Sequence, residues 1–415
     1  MSDARRAIEA LRAGVPNRPA IRLLGSAESE LIEGFESNLR SVESSLGDIR
    51  IPGQVVAGGF GAGKSHFLGY LREIALARNF VVSWISISKE TPLFDLEKTF
   101  LAAMRNAAVA KRTDDAMTAV FAGLRPGSSS YEALQDWAGS SEAGLSPLFS
   151  ALLELIPRRQ STPEDHQRIA RFFAGGKLAM ASVNQWLREA GIKKLFGAIK
   201  PPKAAELARQ RLLFAPRLMA AAGFAGWCVL LDEVELIGRY SALQRGRSYA
   251  ELARWLNLDQ DGGRPGIVAV AAFTDDFKDR VIVDKRDDEA VPAKLYAKNE
   301  REAASAATTM IRFLETGTNM RALRQPDATM LKESLDKTRA LYTQAYAWSP
   351  PPTDIGEMSS TGRMRQYIKS WITAWDLQRL YDQVSSIEVS AIASDYSESA
   401  DIEKASETDD DDSDD

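Results

Sequence analysis

The chain has 415 residues, 45% of them hydrophobic and 26% charged, with a formal net charge of −5. That is the make-up of an ordinary globular chain with room for one large domain plus additions, or for two. No apolar run approaches the roughly 18 residues that cross a bilayer, and the arginines dispersed near the start (Arg5, Arg6, Arg12, Arg18) leave no secretory apolar segment. The single cysteine, Cys228, excludes an internal disulfide framework. With only His66 and His166 beside it, there is no ligand set for a Cys/His zinc site. The expectation is a cytoplasmic protein with no membrane partner.

The charge is unevenly spread. Residues 401–415 carry nine acids against Lys404, a net of −8, so the other 400 residues sum to +3. Residues 391–415 have little to bury and read as a disordered acidic tail, serving as a solubiliser or as an arm that competes for a basic surface.

In chain order, the first apolar run of strand length is Gln54–Ala57. It leads into Gly58-Gly59-Phe60-Gly61-Ala62-Gly63-Lys64-Ser65, and a segment of helical period follows. This is the phosphate-loop pattern in its required strand–loop–helix context. Glycines let successive backbone N–H groups converge on an anion, and the helix N-terminus adds donors and a positive dipole end. Gly59, Gly61, Ala62, Gly63, Lys64, Ser65 and His66 are therefore the expected nucleotide-binding positions. Lys64 would face the β- and γ-phosphates, and Ser65 would offer its hydroxyl to Mg²⁺. For the His66 ring, packing or a backbone hydrogen bond is favoured over catalysis.

A second apolar run spans residues 80–87, and a long helical region occupies about 93–222. Glycine- and serine-rich breaks interrupt it near 127–130 and 139–141. Within it, Lys193, Lys194, Lys200 and Lys203 surround Phe196, a basic segment that suits either a solvated face or a nucleic-acid backbone.

The third run, residues 227–231, ends in Asp232-Glu233. An acid at a strand end beside a phosphate loop can hold Mg²⁺, here Asp232, and the next acid, Glu233, can deprotonate the attacking water. Glu235 is expected on the surface or paired with Arg239. The fourth run, residues 266–273, ends in Thr274, a candidate to sense the γ-phosphate or position the water, or else a helix cap. These short, wholly apolar runs alternating with helices specify an α/β fold with a buried parallel sheet. Beyond about 290 the pattern is helical again. Pro350, Pro351 and Pro352 interrupt it, and a strong last helix spans about 363–381.

Together, the phosphate loop, the Asp-Glu strand end, the polar end of the next strand and the helical C-terminal segment resemble P-loop ATPases of the AAA+ and origin-recognition-like type. Residues 11–18, 58–71, 231–237 and 244–249 bring the resemblance closer, to the ATP-binding proteins of bacterial phage-exclusion (BREX-type) defence systems. The resemblance implies a P-loop NTPase core over residues 1–290 with a helical insertion at about 93–222. A helical lid over 291–390 and the tail complete the expected chain. It also implies a Mg²⁺-dependent ATPase, with ATP and Mg²⁺ as cofactors, acting as motor or remodeller in an anti-phage assembly with other proteins of the system. Homo-oligomerisation and indirect contact with DNA are left open. The alternative is a nucleotide-gated scaffold with little turnover.

By the same resemblance, an arginine opening the last helix contacts the nucleotide. Arg363 is taken over Arg365. Arg239, Arg245 and Arg247 are the candidates to act on a neighbouring subunit, and residues 14–18 are expected to border the adenine. Lys64 and Asp232 lie 168 positions apart, a separation that requires the insertion.

Overall fold

The computed structural model describes residues 2–14, 17–45, 48–110, 115–158, 162–260, 262–352 and 364–381. The acidic tail expected over 391–415 lies outside them. Six strands form one sheet: β1 (Gln54–Ala57), β2 (Val81–Ser86), β3 (Ala107–Ala108), β4 (Trp227–Asp232), β5 (Ile267–Phe273) and β6 (Met320–Ala322). Their spatial order is β3-β2-β4-β5-β1-β6, and every pairing is parallel except the short antiparallel β2–β3 ladder.

The apolar runs are continuous because both faces of the sheet are covered, and alternate residues of each strand enter opposite cores. On one face Val229, Leu231, Ala269, Ala271 and Phe273 meet helices Ala242–Trp255, Arg301–Glu315 and Ala204–Ala221. On the other, Cys228, Leu230, Val268, Val270 and Ala272 meet helices Ser29–Ser44 and Lys64–Ala77.

Between β2 and β4 the chain is mostly helical, broken by the short β3. The helices of this stretch include Ala116–Gly123, Ser129–Gly139, Pro147–Leu155, Pro163–Phe173 and Met180–Glu189. Phe149, Phe172, Phe173 and Phe214 pack ring to ring inside it, with centroids 4.6 Å apart for Phe173 and Phe214. These rings share one continuous core with the sheet face rather than forming a core of their own. The insertion is thus an outgrowth of the sheet layer.

The boundary expected at 290/291 is not where the cores divide. Helix Arg301–Glu315 packs on the sheet layer, and β6 extends the sheet by pairing Val55 with Met320. A separate core is built from helix Asp3–Ala13 together with Ala328–Tyr346 and Met364–Tyr381, through Ile8, Leu11, Leu335, Tyr342, Trp371 and Trp375. Arg12 closes it by pairing with Asp376 at 2.9 Å, which also accepts from Tyr342 Oη at 2.7 Å. The helical module therefore draws on both ends of the chain.

Helix Arg18–Leu24 joins this module to the sheet. It lies antiparallel along Lys64–Ala77, with Arg18 on Glu73 at one end and Gly25 on His66 at the other. Between them Ile21 fits over Gly69, where an added Cβ would stand 2.4 Å from Ile21 Cδ1. Glycine leaves room there for the Ile21 side chain, whose Cδ1 would have to shift to admit a larger residue.

Candidate functional site

The glycine loop leaves the carboxyl end of β1, and Gly58 N donates to Phe273 O of β5 at 3.1 Å. Gly61 and Gly63 have φ of 82° and 101°, in the left-handed region that glycine alone enters without strain. That backbone turns the chain sharply into helix Lys64–Ala77, whose N-terminus has no side-chain cap. The donors of its first turn are left facing the loop mouth, as an anion site requires.

Lys64 is 8% exposed, and its Nζ donates to Gly58 O at 2.8 Å. The Ser65 hydroxyl lies close enough to the carboxylate of Asp232 to favour its charged form. The loop and the end of β4 thereby meet, although far apart in sequence. Asp232 is buried, which raises its pKa, while the Ser65 hydroxyl, the Glu233 amide, Lys64 and Arg365 oppose the rise. It accepts from Glu233 N at 3.0 Å.

Glu233 has φ 57° and ψ 32°, an unusual backbone for a non-glycine residue. This kink ends the strand and leaves the Glu233 side chain exposed while Val234 is buried. Partial burial and the neighbouring Asp232 raise the Glu233 pKa. Thr274 sits buried at the end of β5, 2% exposed. In this parallel sheet β5 stands between β1 and β4, so the ends carrying Gly58, Thr274 and Asp232 lie on one edge.

Several expectations are corrected. Glu235 is not on the surface: its side chain is 13% exposed and its Oε1 lies 3.5 Å from Lys64 Nζ. The 3₁₀ turn Val234–Arg239 folds it back under the loop. Arg245 is not available to a neighbouring subunit, because it is buried against Asp287 at 2.8 Å with Tyr249 on the same carboxylate. Arg247 is engaged by Glu300 at 2.6 Å. Phe196 does not stand out as a stacking platform, since it packs against the insertion core; the exposed apolar residue of the basic segment is Leu195, at 76%.

The His66 side chain is turned away from the loop, its Nε2 donating to Gly25 O at 2.7 Å. Burial lowers its pKa, opposed by that hydrogen bond. Arg363 and the middle of the 14–18 segment lie outside the described residues. Arg365, two positions on, is described and stands beside the site. Its guanidinium is 5.6 Å from the Phe60 ring centre, and its aliphatic stem runs beside Gly14. The resemblance favours Arg363 over Arg365; the described residues include only Arg365 of the two.

A cleft of about 550 Å³ lies elsewhere, beside β6 and the start of helix Ser29–Ser44, lined by Gln54, Asn319 and Arg321 among others. It lies away from the acidic strand end.

Fold and site define a parallel α/β protein in which a glycine loop and an acidic strand end meet. Residues 1–124 match the family model described as BREX system ATP-binding protein BrxC/D. The chain's resemblance to the ATP-binding proteins of BREX systems is thus carried by an independent comparison over the segment that contains the glycine loop. No curated protein and no solved structure matches the chain.

Proposed function

We propose that this chain binds ATP at the loop 58–65 and hydrolyses it, as a P-loop ATPase of AAA+ type serving a BREX-type defence assembly. The observation that carries the reading is the meeting of the loop with the end of β4 and the turn that follows it, where Lys64 Nζ lies 3.5 Å from Glu235 Oε1 and the Ser65 hydroxyl opposes the rise in the Asp232 pKa. A loop built for phosphate and an acid built for a cation have no structural need to meet. Their meeting at one point beside a buried lysine is what phosphoryl transfer requires. The strand order and the family match over residues 1–124 support the same reading.

The donor set fits Mg²⁺. Ser65 and Asp232 offer hard oxygen ligands, and among the described residues no group of three His, Cys, Asp or Glu side chains could hold a metal. Mg²⁺ suits such a site, since it is held through one or two carboxylates and substrate phosphates rather than by a protein cage. When bound it neutralises charge on the phosphate oxygens.

The roles of the side chains follow. Backbone N–H groups from Gly59 to His66 receive the phosphates, and Lys64 supplies the counter-charge. Glu233 takes the proton of the attacking water as that water's oxygen bonds to the γ-phosphorus and ADP departs with the bridging oxygen. Thr274 orients the water or the γ-phosphate. Arg365 brings the helical module onto the nucleotide. The insertion offers a surface to other proteins of the system. Homo-oligomerisation and DNA contact, through the basic segment or a partner, belong to the same proposal, as does a cytoplasmic site of action. Among the described residues no helix is long and apolar enough to cross a membrane.

Calorimetric titration of the purified chain with a slowly hydrolysed ATP analogue tests the binding step. Binding that disappears in Lys64→Ala supports the reading, and equal affinity in a folded Lys64→Ala rejects it.

A further inference from the structure

Lys64 does not stand free in the site. Its ammonium is held between Gly58 O at 2.8 Å and Glu235 Oε1 at 3.5 Å. Glu235 is 13% exposed, and its second oxygen, Oε2, is buried with no hydrogen-bond partner among the described residues. A carboxylate so placed is poorly compensated: it has one cation within reach and an orphaned oxygen. Nothing in the packing of turn Val234–Arg239 requires an acid there, since Val234 and Ile237 supply its buried contacts. Its ionic contact is with the lysine of the glycine loop.

We infer that Glu235 is a positioning residue that acts through Lys64, a resident counter-anion occupying the lysine's charge until the phosphates of a nucleotide take its place. The inference rests on the reading of loop 58–65 as the phosphate site. It goes beyond that reading by assigning a role to an acid outside the Asp232–Glu233 pair. When a triphosphate enters, Lys64 exchanges one carboxylate for phosphate oxygens, and Glu235 is left facing new negative charge. Two like charges in a partly buried site repel appreciably. Glu235 therefore weakens nucleotide binding, more for ATP than for ADP because ATP brings more charge. The empty site keeps its lysine ordered, and the turn that follows β4 registers whether a nucleotide has arrived.

The test compares ATP and ADP affinity of wild type, Glu235→Gln and Glu235→Asp by titration with a fluorescent nucleotide. Melting curves establish that each variant is folded. Glutamine keeps the shape and removes the charge, so ATP should bind roughly ten-fold tighter, with a smaller gain for ADP. Aspartate keeps the charge but draws it back from Lys64, so its affinity should fall between wild type and Glu235→Gln. It carries the test alone should the glutamine variant not fold. A residue that merely supported the fold would weaken binding when changed. Unchanged or weaker ATP binding in a folded variant would overturn the inference. So would unchanged affinity with abolished turnover, which would make Glu235 the base. If wild type itself binds no nucleotide, the phosphate-site reading fails and this inference with it. If wild type binds and the variants match it, the inference fails alone.

Discussion

His66 Nε2 donates to Gly25 O at 2.7 Å, tying the first turn of the helix behind the glycine loop to the turn after helix Arg18–Leu24. That turn is held on its other side by the helical module, where Lys337 Nζ donates to Leu24 O at 2.8 Å. Burial lowers the His66 pKa, so the folded chain resists protonation that the unfolded chain accepts. The stability of this contact is complete above the unfolded value of about 6.5 and is lost as pH falls through the folded value. Thermal melting should show a fall in Tm below about pH 6.5. Glu and Asp titrations overlap only its lower end. His66→Gln, which keeps an N–H for Gly25, should flatten the pH 5–7 part of the profile, and an unchanged slope there would contradict the assignment.

Ile21 and Gly69 lie against each other between two helices. A Cβ at position 69 would meet Ile21 Cδ1 at 2.4 Å, so something must shift. Gly69→Val should cost about 1–3 kcal/mol through overpacking, measured by denaturant titration. Ile21→Ala in the same chain should recover part of the loss, because it opens the space that valine needs. An additive double mutant would argue against direct contact.

Arg365 stands beside Phe60 and within electrostatic reach of Asp232. Arg365→Ala should slow hydrolysis by about ten-fold or more while nucleotide affinity changes little, because the charge is needed where negative charge develops. Arg363→Ala should have the smaller effect. Steady-state turnover of the two variants decides between them. The reverse order would return the role to Arg363.

Much of this was legible in the sequence because the residues carrying it are local. The loop 58–65 reads directly, since each glycine and Lys64 answer a requirement within eight positions. The four long strands read as apolar runs because both sheet faces are buried. β6 did not read: three residues, Met320–Ala322, one intermediate and two exposed, give no apolar run, and they become a strand only through pairing with β1. The two-residue β3 was hidden in the helical insertion for the same reason. Helix Asp3–Ala13 was not read from the sequence, and its apolar residues alone do not say which core receives them. Only the packing of Leu11 with Trp371 and its neighbours assigns it to the C-terminal helices. Glu235 was misplaced because a 3₁₀ turn, which an apolar-acidic pattern does not announce, brings it back to Lys64.

The most direct measurement is single-turnover hydrolysis of ATP by Glu233→Gln, read beside the ATP retained on the protein. The side chain sits next to Asp232 on a kinked strand end, with its pKa raised by partial burial and by Asp232, as suits a proton acceptor. Glutamine keeps the shape and removes the base, so bound ATP should persist while hydrolysis falls by about 10²–10⁴-fold. Asp232→Ala should instead weaken retention of Mg²⁺-ATP. In wild type the rate should fall as acidity protonates Glu233, at a pH raised from the ordinary glutamate value. Hydrolysis at the wild-type rate in Glu233→Gln would contradict the central claim. A wild type that binds ATP and never turns it over, with or without DNA, would leave a nucleotide-gated scaffold in place of an ATPase.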